Sequence, residues 1–234
     1  MSALYRLFLA SIATRGRLIA LLALGAVAVI VGLAIGASET ADPLDDGTVM
    51  VANLGLALIV PVVTLVLASA VLGDPNEDGT LVYLWLRPVE RWQLAVAAFG
   101  AATTVSLPVV VVPMALSASA TGGGGELVTA TIASCAVATF AYAGVFTFLG
   151  LRLKRAMAWG LAYILVWEGF LARAGDGFEA VSIRSHTVSL LSRLADGPQR
   201  LWESTMTSAI FVPLLAGAVT VYLTSRRLRR QDVA

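Results

Sequence analysis

Charge is what this sequence lacks most. Only 13% of its 234 residues are Asp, Glu, Lys or Arg, where a soluble domain carries about 25%. With 58% hydrophobic residues and a mean hydropathy of +0.85, the chain reads as an integral membrane protein. Cysteine is nearly missing too. Cys135 stands alone in a hydrophobic run, so no internal disulfide framework exists and it reads as a small buried hydrophobe. A single histidine, His186, excludes a bis-histidine haem site. Lys154 is the one lysine among 16 basic residues, and this arginine bias with abundant alanine points to a GC-rich bacterial genome. No G-x-x-x-x-G-K-[ST] loop is present, since the run Gly122 to Gly125 lacks the lysine. H-E-x-x-H, G-x-S-x-G and a pair of intramembrane aspartates are absent as well. No catalytic residue, metal ligand set or cofactor site is therefore expected in this chain. The first apolar run is too long for a signal peptide and has no A-x-A end.

Long apolar runs are what the sequence does have. Six reach toward the ~20 residues that a membrane span needs, near 18–37, 49–72, 94–117, 127–150, 156–172 and 205–224. The expected fold is a single all-α transmembrane domain over 1–234. Ahead of the spans, residues 1–14 place Leu4, Leu7, Phe8 and Ile12 on one helical face, the pattern of an interfacial helix.

The loops set the orientation. Ser38 to Thr48 carries Glu39, Asp42, Asp45 and Asp46 without a basic residue, and Ala118 to Glu126 has none either. Twelve basic residues fall on the other side: Arg6, Arg15, Arg17, Arg87, Arg91, Arg152, Lys154, Arg155, Arg226, Arg227, Arg229 and Arg230. The remaining four lie in the loop 173–204. The positive-inside rule then puts both termini and the 73–93 loop in the cytoplasm of a bacterial plasma membrane.

Several features inside the spans invite two readings. Gly32-xxx-Gly36, with Ala28 a turn earlier, permits close helix approach, either within one subunit or across a dimer. Packing within the subunit is favoured. Pro61, Pro108, Pro113 and Pro213 can kink their helices and line a pathway, or be absorbed in packing. Glu168 is the one ionisable residue within a span. It either faces a pathway or gate, or reaches the outer interface and pairs with Arg173 or another loop arginine. In the 173–204 loop, Val188, Leu191, Leu194 and Ala195 form an apolar stripe of a helix at the outer interface or dipping into the bundle mouth. His186, at its start, is expected to be solvated or capping.

The charged segment 73–93 organises the rest. Asp74, Glu77, Asp78 and Glu90 with Arg87 and Arg91 keep it out of hydrocarbon. Leu81, Leu84 and Trp85 share a helical face, Asp78 or Thr80 can cap its start, and Pro88 stops it. This is a short amphipathic helix at the inner mouth of a bundle, suited to docking.

The run Asn76-Glu77-Asp78-Gly79-Thr80-Leu81-Val82-Tyr83-Leu84, followed by Arg87-Pro88-Val89-Glu90-Arg91, resembles the cytoplasmic loop of type-2 ABC exporter permeases. The motif covers under twenty residues, but the whole topology agrees with it. Val82 departs from the glutamate often found there. The resemblance implies a coupling helix between spans two and three that fits a groove on a separate ATPase subunit. Glu77, Asp78, Gly79, Thr80, Leu81 and Leu84 are then contact positions, with Trp85, Arg87 and Arg91 beside them. It further implies two copies of an ABC ATPase carrying ATP and Mg, a second permease subunit, identical or homologous, and a hydrophobic or amphiphilic substrate such as a drug, lipid or glycoconjugate. Two other classes remain: a secondary carrier driven by an ion gradient, or a non-transporting scaffold or immunity protein. Matched broken helices in two repeats would mark a carrier, and no convincing repeat is visible.

Overall fold

The computed structural model describes residues 2–38, 42–82, 90–170, 179–196 and 204–230. All regular secondary structure among them is helical. In chain order the helices are α1 (Ser2–Ile12), α2 (Arg15–Gly36), α3 (Pro43–Met50), α4 (Val60–Glu77), α5 (Arg91–Ala120), α6 (Gly124–Arg152), α7 (Ala156–Ala162), α8 (Ile183–Leu194) and α9 (Met206–Arg230). Two stretches of wider, i→i+5 pitch join them without a break: Val51–Ile59 runs from α3 into α4, and Tyr163–Glu168 extends α7.

Among the described residues five helices are long and apolar enough to cross a membrane: Arg15–Gly36, Pro43–Glu77, Arg91–Ala120, Gly124–Arg152 and Met206–Arg230. The sixth run expected, 156–172, is helical over Ala156–Glu168. At 1.5 Å per residue that segment spans roughly 20 Å, short of the ~30 Å hydrocarbon layer.

Gly124–Arg152 is the hub, packing against α4, α5, α8 and α9. Small residues make this possible, because in lipid no hydrophobic effect drives helices together and close packing must do so. Gly150 meets the Ser69 backbone of α4, and Gly144 meets Gly217 of α9. Where apolar side chains face the hub they are buried completely, as with Leu65, Leu67, Leu127, Tyr142 and Phe146. Tyr142 stacks on Phe146 with ring centroids 5.6 Å apart.

The Gly32-xxx-Gly36 pair packs within the subunit. A Cβ on Gly32 or Gly36 would overlap the carbonyl oxygens of Ser117 and Ala120 on α5. Ser117 Oγ also donates to the carbonyl of Ala28 across the same contact, at 2.6 Å.

The N-terminal helix α1 is docked onto the bundle as well as amphipathic. Leu4, Phe8 and Ile12 are buried against α4 and α5, Leu7 is exposed, and the Tyr5 hydroxyl donates to Thr104 Oγ1 at 2.9 Å. Pro61 lies at the start of α4, just after the wide-pitch stretch Val51–Ile59. Lacking an N–H, it cannot return the hydrogen bond that an α-helix makes to residue i−4. Pro108, Pro113 and Pro213 lie inside α5 and α9.

Candidate functional site

Two features stand at opposite ends of the long helix Pro43–Glu77. At its C-terminal end lies the acidic loop. Asp78 caps α4 with its N–H on Asp74 O (2.9 Å), and Gly79 follows at φ +67. That left-handed residue stops the helix where a side chain would be strained. Glu77, Asp78, Gly79 and Thr80 are all exposed. Leu81 is not: it is 7% exposed and joins the hydrophobic core. Its side chain anchors the loop to the bundle, and among the described residues of the loop Glu77, Asp78, Gly79 and Thr80 face outward. Leu81 was expected among the contact positions; within the described chain its side chain packs into the core instead of standing exposed like the four residues before it. Arg91 is half-buried at the start of α5. Leu84, Trp85 and Arg87 lie outside the described residues, and with them the body of the expected coupling helix.

The loop is braced from a second side. Glu77 Oε1 accepts from the backbone N–H of Arg155 at 2.7 Å, and Asn76 Nδ2 donates to Leu151 O at 3.4 Å. Arg155 itself is left-handed (φ 60) and starts α7. The end of α4, the turn after α6 and the start of α7 are thereby tied together. Arg17 Nη2 on α2 pairs with Asp74 Oδ2 at 2.7 Å on the same end of the bundle. Both partners are substantially exposed, so the pair contributes little, at most about 1 kcal/mol. Replacing Arg17 with Ala should shift the denaturation midpoint only slightly, and a larger loss in a chemical unfolding titration would mean that the contact is structural.

The second feature is a buried polar knot around Glu168. This residue ends the wide-pitch extension of α7 and is 2% exposed. Its carboxylate accepts from the Tyr163 hydroxyl (3.0 Å), the Ser182 hydroxyl (2.6 Å) and the backbone N–H groups of Ile183 (3.3 Å) and Arg184 (3.3 Å). The last two are the first N–H groups of α8, which have no partner inside their own helix. A carboxylate there satisfies them and lies at the positive end of the helix dipole. Ser182 Oγ accepts from Ser185 N at 3.1 Å and completes the cap.

Arg184 carries the network onward. It is 4% exposed, donates from Nη1 to the Glu168 carbonyl (3.5 Å) and from Nη2 to Asn53 Oδ1 (3.3 Å). Asn53 belongs to the other wide-pitch stretch, Val51–Ile59. Both departures from α-helical pitch in the described chain thus meet at one arginine, and such departures recur at functional sites. Tyr142, buried on α6, lies close enough to interact with the Glu168 carboxylate.

For the helix α8 the sequence left two placements open, at the outer interface or dipping into the bundle mouth. Ile183 through Ser192 are all buried, packed against α6, α9 and Val51–Ile59. His186, expected to be solvated or capping, is buried with Nδ1 2.9 Å from Ser182 O. Ser189 Oγ bridges to the backbone of Ser204, accepting from its N–H at 3.2 Å. A polar stretch with only a narrow apolar stripe suggests a surface helix. Here the Ser182, Thr187 and Ser189 hydroxyls find intramolecular partners, which offsets part of the cost of burying them. The signal in the sequence was the run of Ser and Thr at 182, 185, 187, 189 and 192, which can return their hydroxyls to the helix backbone.

Glu168 is therefore bonded to a neighbouring helix terminus within the bundle. Among the described residues no group of His, Cys, Asp and Glu is arranged to hold a metal ion. Residues 14–172, more than half of the chain, match the family model described as ABC-2 family transporter protein. No curated protein matches the chain.

Proposed function

The chain belongs to the ABC-2 family of transporter proteins, and from that membership we propose that it is the membrane-spanning permease subunit of an ATP-driven exporter. The ATP and Mg are held by a separate ABC ATPase, present in two copies, and a second permease subunit completes the complex. Substrates are hydrophobic or amphiphilic. The termini and the acidic loop face the cytoplasm of a bacterial plasma membrane, as the distribution of the twelve basic residues supports.

The observation that carries this reading is the unbroken helix Pro43–Glu77. It joins the exposed loop Glu77–Asp78–Gly79–Thr80 at one end to Asn53, and so to Arg184 and Glu168, toward the other. The distance along the helix from Asn53 to Glu77 is roughly 35 Å at 1.5 Å per residue. A rigid element of that length transmits displacement instead of absorbing it. ATP-driven movement of the partner would push the loop and shift the Val51–Ile59 stretch against α8. The knot at Glu168 acts as the gate element, because a hydrogen-bonded buried cluster has discrete packed states and does not deform continuously. A bound partner can bias these states only through contacts that differ between them.

The test is co-purification with an ABC ATPase encoded beside this chain, followed by measurement of ATPase activity in the complex. Replacing Glu77 and Asp78 together with Lys should lower association and coupled activity at least tenfold. The same change at Asp45 and Asp46, at the other end of Pro43–Glu77, should leave both intact. Wild-type association in the Glu77/Asp78 variant would refute the docking surface.

A further inference from the structure

At the arginine-rich end, the start of α5 and the end of α9 leave a groove of about 430 Å³ between them. Its walls include Trp92 and Val96 from α5 and Tyr222 from α9, and its mouth carries Arg226, Arg229 and Arg230. An apolar strip leads into it along α9. Phe211, Leu215, Val219 and Tyr222 are all exposed, and their spacing of four, four and three residues keeps them on one face. Arg226 and Arg229 continue the same spacing. The strip is therefore apolar for most of the helix and then becomes cationic within one turn.

Among the described residues no ion pair or hydrogen bond joins Arg226, Arg229 or Arg230 to the rest of the chain. The acidic residue beside the groove, Glu90, accepts from the Trp92 indole N–H. Three cations beside a largely apolar groove suit an anion with a hydrophobic tail. Trp92 and Tyr222 are exposed at this level, as aromatic side chains are where hydrocarbon meets headgroups. A free phosphate would use the arginines and leave the strip bare.

We propose that this groove binds one anionic phospholipid of the adjacent leaflet, with its phosphate on Arg226, Arg229 and Arg230 and one acyl chain along the α9 strip. The site is independent of the export reading. Because α5 begins just after the acidic loop, an occupied groove links the base of that loop to α9.

The experiment is native mass spectrometry of the full chain released from detergent, with phosphatidylglycerol and phosphatidylcholine of matched chains. The wild type should retain one phosphatidylglycerol in preference to phosphatidylcholine. Each arginine near an anionic headgroup is worth about a fivefold change in affinity, so R226Q/R229Q/R230Q together should lose about 100-fold. R226K/R229K/R230K should keep most of the preference, and R15Q/R17Q should keep all of it. Phosphatidylglycerol with brominated chains should quench tryptophan fluorescence in the wild type and less in Trp92→Phe, with no such difference for Trp159→Phe. Equal retention of the two lipids, an equal loss in R15Q/R17Q, displacement by inorganic phosphate, or disulfide cross-linking of two copies through Tyr222→Cys would each overturn the proposal.

Discussion

Replacing Glu168 with Ala should lower stability by about 3–5 kcal/mol, because several buried donors lose their acceptor at about 1–3 kcal/mol each. Four donors lose their acceptor at once: the Tyr163 and Ser182 hydroxyls and the first two N–H groups of α8. Arg184 stays buried, and its backbone N–H is one of the donors left behind. Glu168→Gln should cost less, because one amide oxygen can still accept, but its NH₂ group points a donor at other donors. Unfolding titrations in mixed micelles measure both changes. Transport by the assembled complex then separates stability from gating. If Glu168→Gln folds and transports like the wild type, the knot is a structural cap and the gate lies elsewhere. A loss below about 1 kcal/mol for Glu168→Ala would contradict the network itself.

Gly32→Leu should be a strongly damaging change in the first span. The new side chain has to enter the space held by Ser117, whose backbone oxygen already lies within overlap distance of a Cβ at this position. Overpacking of this kind costs about 1–3 kcal/mol, and backbone is less able to yield than the end of a flexible side chain. The displaced Ser117 would also lose its 2.6 Å hydrogen bond to Ala28 O. Gly16→Leu is the matched control, because nothing lies within 4 Å of a Cβ there. It should be neutral or slightly stabilising through the higher helix propensity of leucine. Equal effects at the two positions would show that α2 does not pack on α5 through this face. A Gly32→Leu variant that changes only the oligomeric state would return the glycine pair to a contact between copies.

The spans at Arg15–Gly36 and Gly124–Arg152 could be placed from composition because lipid imposes a length and an apolar content on any crossing helix. The break at Gly79 was not read from the sequence, but the motif around it supplied the family resemblance that the match over residues 14–172 bears out. Leu81 was harder to place. Its spacing from Leu84 marks an apolar face without saying whether a partner or the bundle covers that face, and the structure turns Leu81 inward.

Residues 156–172 and 182–195 show a different limit. A hydropathy count registers 156–172 as a span, yet the helix runs over Ala156–Glu168 and ends at a carboxylate that another helix needs. The helix Ile183–Leu194 has too little apolar surface to be judged buried by pattern, and it is buried almost throughout.

The sequence alone determined that this is a membrane protein, where most of its helices run and which family's loop it carries, because these depend on local composition and on a contiguous motif. Tertiary structure decided that Glu168, Arg184 and Asn53 form one cluster, and that α8 is interior. Asn53 and Arg184 are 131 positions apart in the chain. Hydrogen bonds between such distant residues leave no periodicity in the sequence, and satisfying buried polar groups is a property of the assembled bundle.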